Sequence, residues 1–316
     1  MNNNRRRTPF WRVAGPLFGY WGIEMIVQFI LEFLLLIPYM GKAYGQIAGS
    51  TQTLSYEELM NQYYQILSPA FDEILNYQVQ ITGISALFTL ILTVILFRKD
   101  RKEEQLMGVA VREKVPGSQY WMILVMGLVG SIAVTCLSAM AQVAFVSSEY
   151  QQTAESMYSA TVLVELLVFG IISPLAEEML FRGVMYRRYR ETKSFYYGAV
   201  WSSLFFALLH TNTVQMIYTF LLGILLCYVY EKFGSIKAPI LLHMTLNIGS
   251  VVFTEIGVFH WLGEAWLRMA LAVIGAAFVC SVAFVCIQKV SGPVQIIQKP
   301  SSEDEDNGND SNPFSM

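Results

Sequence analysis

The chain has 316 residues, 54% of them hydrophobic and 14% charged, with a mean hydropathy of +0.45 and a net charge of −3. A soluble domain carries about 25% charged residues, so a water-exposed globule of this size is excluded, and so small a net charge offers nothing for nucleic acid to bind. The four cysteines, Cys136, Cys227, Cys280 and Cys286, lie inside apolar runs with no CxxC spacing. That excludes a disulfide framework or zinc finger and leaves packing or lipid-facing thiols.

At the N-terminus, Arg5, Arg6 and Arg7 precede an apolar run from about Ala14 to Met40. The run is too long for a signal-peptide core and no small-residue cleavage site closes it, so it predicts a retained first transmembrane helix. A helix crossing ~30 Å of hydrocarbon needs ~20 mostly apolar residues. Further candidates follow near 78–98, 119–147, 161–182, 196–210, 214–231, 238–258 and 264–288, eight in all. The fifth and sixth are short and separated only by His210 to Thr213, so a hairpin that does not fully cross is the alternative there. Between spans one and two, the stretch from Tyr56 to Leu67 has roughly helical spacing of apolar residues and predicts an amphipathic helix on the membrane surface. The tail, 301–316, is rich in Asp, Glu, Asn and Ser and predicts disorder. The expected organisation is one all-α, polytopic membrane domain, 1–300, followed by an acidic cytoplasmic tail.

Basic residues give an independent reading of topology, because cytoplasmic loops collect Lys and Arg. Arg5, Arg6, Arg7 and Arg12 precede span one; Arg98, Lys99, Arg101, Lys102, Arg112 and Lys114 follow span two; Arg182, Arg187, Arg188, Arg190 and Lys193 follow span four. Lys232 and Lys237 separate spans six and seven, and Lys289 and Lys299 follow span eight. Only Lys42 and Arg268 fall on the other side, which predicts eight crossings with both termini in the cytoplasm.

Ionisable groups inside membrane helices are costly and usually functional. Glu177, Glu178 and Arg182 close span four. Glu178 and Arg182 are one turn apart and can pair, while Glu177 points about 100° away, free to face a cavity. Pro174 removes a helix hydrogen bond just upstream. Phe206 and His210 lie in span five, and His243 and Asn247 share one face of span seven. Snorkelling charges or helix-to-helix hydrogen bonds account for any one motif alone. All three together suit peptide hydrolysis: a carboxylate in an apolar pocket is a stronger base, an imidazole helps deprotonate water, and a second imidazole and an amide can donate to an oxyanion.

Glu177-Glu178-x-x-x-Arg182, Phe206-x-x-x-His210 and His243-x-x-x-Asn247 resemble the three motifs of the CAAX protease and bacteriocin-processing family of intramembrane proteases, which includes the type II CAAX prenyl endopeptidase. The resemblance covers about 160–258. It implies Glu177 as the catalytic carboxylate, His210 as its partner in activating water, and His243 with Asn247 as the oxyanion site. Glu178, Arg182 and Phe206 would be supporting residues. No cofactor is expected; the competing idea is zinc held by Glu177, His210 and His243 with one open position, although no HExxH pair is present.

With straight spans, Glu177 and His243 lie near the cytoplasmic face, whereas His210 lies ~20 Å from Tyr196 along an ideal helix. The three meet only if span four runs on through Tyr189, setting Glu177 deeper, or if span five starts later or tilts. The expected activity is hydrolysis of a peptide bond in a membrane-associated or lipidated peptide or protein, with the bilayer as the other partner and the cell membrane as the location. A non-catalytic protein of the same fold, acting in bacteriocin immunity or as a scaffold, is the alternative. A transporter with a proton relay would show inverted repeats, and none is visible.

Overall fold

The computed structural model describes residues 10–49, 55–106, 115–145, 160–191, 193–210 and 212–290, and all regular structure among them is helical. The basic residues Arg5 to Arg7, Arg112, Lys114 and Lys299 and the acidic tail, 301–316, lie outside the described residues. The helices are α1 (Phe10–Gly49), α2 (Tyr56–Asn76), α3 (Gln78–Leu106), α4 (Trp121–Phe145, after a 3₁₀ turn at Gly117–Tyr120), α5 (162–190), α6 (Phe195–Ala207), α7 (Thr213–Phe233), α8 (Lys237–Glu255), α9 (Val258–Gly263) and α10 (Trp266–Gln288).

Five stretches are long and apolar enough to cross a membrane: Phe10–Gln46, Gln78–Leu106, Gly117–Ala141, Thr213–Phe233 and Trp266–Gln288. The other three predicted spans correspond to α5, α6 and α8. α5 and α8 carry the ionisable motif residues, and α6 reaches only about 20 Å. The eight-crossing topology requires these three to cross as well. The surface supports a membrane setting. Ile26, Phe29, Ile30, Phe33 and Leu34 of α1 and Leu267, Leu271, Ile274 and Phe278 of α10 are exposed, and apolar patches of that extent belong in lipid rather than water.

The amphipathic stretch forms α2, which runs to Asn76, beyond the predicted Leu67. It opens with a capping box in which Ser55 and Glu58 satisfy each other's backbone N–H groups. α7 opens on Asn212, whose side chain accepts from the N–H groups of Val214 and Gln215 at 2.9 and 3.1 Å. That cap makes α6 and α7 two helices of a packed hairpin rather than one segment.

Two apolar clusters flank α5. One joins Val13, Leu17 and Tyr20 of α1 to Ala86 of α3, to Ala176, Leu180 and Phe181 of α5, and to Phe206 of α6. The other joins Ile123 and Met126 of α4 to Leu226 and Val229 of α7, Leu242 and Leu246 of α8, and Ile287 of α10. Small residues set the closest approaches, as membrane packing favours. A Cβ on Gly127 would stand 1.9 Å from Thr245 Oγ1, so α4 and α8 meet there backbone to side chain.

Ion pairs draw one set of helix ends together. Arg12 of α1 meets Glu191 at 2.9 Å, Arg187 forks onto Glu104 of α3, and Arg188 forks onto Asp100 of α3 at 2.8 and 2.9 Å. Arg190 reaches Glu231 of α7 at 2.6 Å, and Lys232 donates to the Gln288 carbonyl of α10 at 2.8 Å. These ends share one face in the predicted topology. The four cysteines are free, Cys136 and Cys227 buried and the other two partly so.

Candidate active site

Span four differs from its predicted limit. α5 continues past Arg182 to Arg190, because Arg187, Arg188 and Arg190 find carboxylates on α3 and α7. Glu177 therefore lies midway along the helix rather than near its end. α6 stops at Ala207, so His210 sits in the turn beyond the helix and not within it. The extension of α5 is what removes the mismatch in depth.

α5 is locally widened. Residues Val168–Ile172 and Met179–Tyr186 are π-helical, a register often found at functional sites. The first stretch follows from Pro174, which has no N–H to donate and whose ring crowds the preceding turn. The Ser173 N–H donates to Val168, five residues back. In that register the Phe169 carbonyl would look to residue 174 for a donor and finds none. Asn247 Nδ2 supplies it, at 2.9 Å. The side chain of α8 is thus docked on α5 by a carbonyl that a proline set free.

The ionisable residues form a chain across α5 and α8. Glu178 Oε1 accepts from Arg182 Nη1 at 2.7 Å and from His243 Nδ1 at 3.0 Å. Glu178 and Arg182 are fully buried. Arg182 Nη2 donates to the Gly223 carbonyl of α7 at 3.2 Å. With Nδ1–H given to Glu178, His243 presents Nε2 to Glu177, whose Oε2 lies 3.7 Å away. That distance is beyond a hydrogen bond and leaves both atoms available to a third group. The Glu177 side chain is 18% exposed.

Phe206 is the hub. Its ring lies 4.5 Å from the Arg182 guanidinium, and it meets the rings of His210 and His243 edge to face at 5.3 and 5.7 Å. His210 Nδ1 donates to the Phe206 carbonyl at 3.1 Å. A carbonyl only accepts, so the proton is on Nδ1 and Nε2 of the neutral ring keeps its lone pair.

All seven predicted residues are therefore gathered in one region, with two differences from the expected pairing. Glu177 faces His243, and no close ion contact joins it to His210 among the described residues. Glu178, expected only to pair with Arg182, also orients His243. That contact spans 65 positions, and no local spacing reveals it. A third contribution comes from α1. Tyr20 and Glu24 are within electrostatic reach of Glu177. Glu24 is a carboxylate inside an apolar run, the one signal that marked it in the sequence. Among the described residues, no three His, Cys, Asp or Glu side chains are gathered closely enough to hold a metal ion.

Comparison with known proteins finds similarity over the same region. Residues 159–249 match the model of the type II CAAX prenyl endopeptidase Rce1-like family. The chain is 25% identical over 131 residues to "Putative membrane peptidase YdiL" of Bacillus subtilis (strain 168), covering 42% of this chain and 53% of that protein. It is 32% identical over 97 residues to "Uncharacterized 24.3 kDa protein" of Escherichia coli, covering 29% of this chain and 45% of that protein. The chain thus spans about half the length of the curated relatives it matches. No solved structure matches it. The stretch that is similar to the type II CAAX prenyl endopeptidase Rce1-like family contains Glu177, Glu178, Arg182, Phe206, His210, His243 and Asn247.

Proposed function

We propose that this protein is an intramembrane endopeptidase that hydrolyses a peptide bond of a membrane-associated or lipidated peptide or protein through a water activated by Glu177 and His210. The observation that carries the reading is the fixed protonation geometry of the two imidazoles. His210 is held by a backbone carbonyl with its Nε2 lone pair outward, and His243 is held by the Glu178 carboxylate with Nε2 toward Glu177.

In this reading a water between Glu177 and His210 loses a proton to the pair as its oxygen attacks the scissile carbonyl carbon. Negative charge moves to the carbonyl oxygen. The second amide hydrogen of Asn247, not used by Phe169, is available to it, and so is His243 Nε2 if that ring carries both protons. The C–N bond then breaks, and the proton held by the Glu177 pair passes to the leaving nitrogen. Water and amide are converted to acid and amine, and the site returns to its starting state. Glu178, Arg182 and Phe206 touch no reacting atom; they fix the angle of His243 and the spacing of α5, α6 and α8. No step is routed through a metal. The lipid-facing exterior of the helices and the Rce1-like match favour a substrate presented from the bilayer.

Glu177→Gln tests the proposal. The amide keeps the shape and cannot take a proton, so turnover of a membrane-anchored peptide substrate should fall roughly 10²–10⁴-fold in protein that inserts and unfolds like wild type. Near-normal hydrolysis by the purified variant would remove the mechanism. Retention of a cellular phenotype by that variant would favour the non-catalytic alternative.

A further inference from the structure

The stretch shared with known proteins, 159–249, leaves out α1, yet α1 walls one side of the site. Tyr20 is buried and joins Leu17 in the cluster that holds Ala176 and Leu180 of α5 and Phe206 of α6. Ala176 is the residue before Glu177. The Tyr20 hydroxyl bonds to Thr89 of α3 and lies within electrostatic reach of Glu177. Tyr20 thereby fixes the rotation of α1. Ile26, Phe29 and Ile30 are left exposed to lipid, and Glu24, one turn beyond Tyr20, falls on the face turned toward the site.

Glu24 stands ~21 Å along α1 from Phe10 by the ideal helix rise, inside the apolar run. A carboxylate at such a depth is costly unless it is paired. Among the described residues, no Lys, Arg or His comes within ion-pair distance of Glu24. The cationic groups of the site are engaged elsewhere. Arg182 donates to Glu178 and to the Gly223 carbonyl, and His243 Nδ1 faces Glu178 as well. Glu24 and Glu177 are within electrostatic reach of each other, so the α1 side of the site carries two carboxylates with no Lys or Arg set against them. That side is also not sealed. α1 packs most closely on α5 over 179–190, and Glu24, outside that contact, is half-buried.

Two carboxylates without a cation, in the wall of a site proposed to bind a peptide, call for a positive charge from the peptide. We propose that Glu24 is a specificity-determining residue that pairs with a Lys or Arg side chain of the substrate near the scissile bond. The inference rests on the peptidase reading for the identity of its ligand. A basic side chain in the bilayer is as costly alone as Glu24 is, and each charge answers the other. The long stem of Lys or Arg can lie along the apolar surface of α1 while its head reaches the carboxylate. An acidic side chain would add a third negative charge and should be rejected.

Binding of palmitoylated Ala/Leu peptides to the full chain in nanodiscs tests the proposal. Each peptide carries one lysine, walked along its sequence, or norleucine at the same place. Glu177→Gln protein is used, so that the ligand is not consumed and any preference reads Glu24 alone. One register of the lysine should bind at least about tenfold more tightly than its norleucine twin, as expected for a hydrogen bond to a charged group. Adding Glu24→Gln should bring that ratio near one by weakening the lysine peptide alone, in protein that unfolds at the same temperature. Absence of a lysine preference in every register overturns the proposal, as does a preference that survives Glu24→Gln. Wild-type enzyme then separates the two readings. Lysine preference with no cleavage supports the pairing and removes the peptidase reading, whereas cleavage with no lysine preference does the reverse.

Discussion

Replacing Glu178 by Gln separates holding the site from performing the chemistry. Glu178 is fully buried and accepts from two cationic or potentially cationic groups, Arg182 and His243. The substitution keeps the shape but strands the buried guanidinium of Arg182. Removing one partner of a buried ion pair costs about 3–5 kcal/mol. Arg182 keeps the Gly223 carbonyl and the face of Phe206, and the new amide oxygen can still accept, so the loss should fall near the low end, about 3 kcal/mol. Against a total stability of ~5–15 kcal/mol that is a large fraction, and it should lower the unfolding temperature in detergent by roughly 5 °C. Turnover should fall about 10–100-fold, the usual effect of loosening the group that orients a working histidine. Glu177→Gln should show the reverse pattern, with activity lost and unfolding temperature kept. Glu177 makes only a 3.7 Å contact and is partly exposed. Pairing Glu178→Gln with Arg182→Met removes the stranded charge and should recover most of the stability without restoring turnover. A drop under ~2 °C for Glu178→Gln would refute the buried pair as the element that fixes α5 to α8, because a stranded guanidinium cannot be that cheap.

Three further outcomes are expected. Gly127→Ala puts a methyl where Thr245 Oγ1 stands and should lower stability by ~1–3 kcal/mol, read as earlier thermal unfolding; wild-type behaviour would mean α4 and α8 are further apart than described. With Cys136, Cys227, Cys280 and Cys286 replaced, a cysteine at Ser50 should react with an impermeant reagent on intact cells and one at Ser301 should not; labelling at 301 would overturn the eight-crossing topology. Purified enzyme should keep its activity through long incubation with strong chelators, and Asn247→Ala should lower turnover roughly 10²–10³-fold with little change in KM. Stoichiometric zinc lost in His210→Ala or His243→Ala would instead make the site a metal centre.

What could be read from the sequence and what could not divide along one physical line. Hydropathy reports the local solvent of a segment, so the all-α membrane class and the positions of the apolar runs were legible. Helix spacing reports neighbours within a turn, so the Glu178–Arg182 pair was legible too. The end of α5 was not. Arg187, Arg188 and Arg190 look like a solvated loop until Asp100, Glu104 and Glu231 arrive from α3 and α7 to neutralise them, and then the helix continues. The same limit hid the second bond of Glu178, whose partner is on α8, and the approach of Tyr20 and Glu24 on α1 to within electrostatic reach of Glu177.

Pro174 shows how far a local rule can be followed once the partner is known. A proline inside a helix predicts a missing donor and a disturbed turn; it does not say which carbonyl is orphaned, because that depends on the register adopted. In an α register the loss falls on the carbonyl of residue 170, and in the π register it falls on Phe169. The structure has the π register, and the Asn247 amide meets Phe169. One amide hydrogen of Asn247 is thereby spent on holding α8 against α5, and the other is left at a fixed angle. A proline three residues before Glu177 is thus coupled, through one widened turn, to the orientation of a side chain on another helix. Pro174→Ala should then restore the α register, release Asn247 from Phe169 and lower turnover while stabilising α5. Such a split between stability and activity is the expected behaviour of strain kept at a working site.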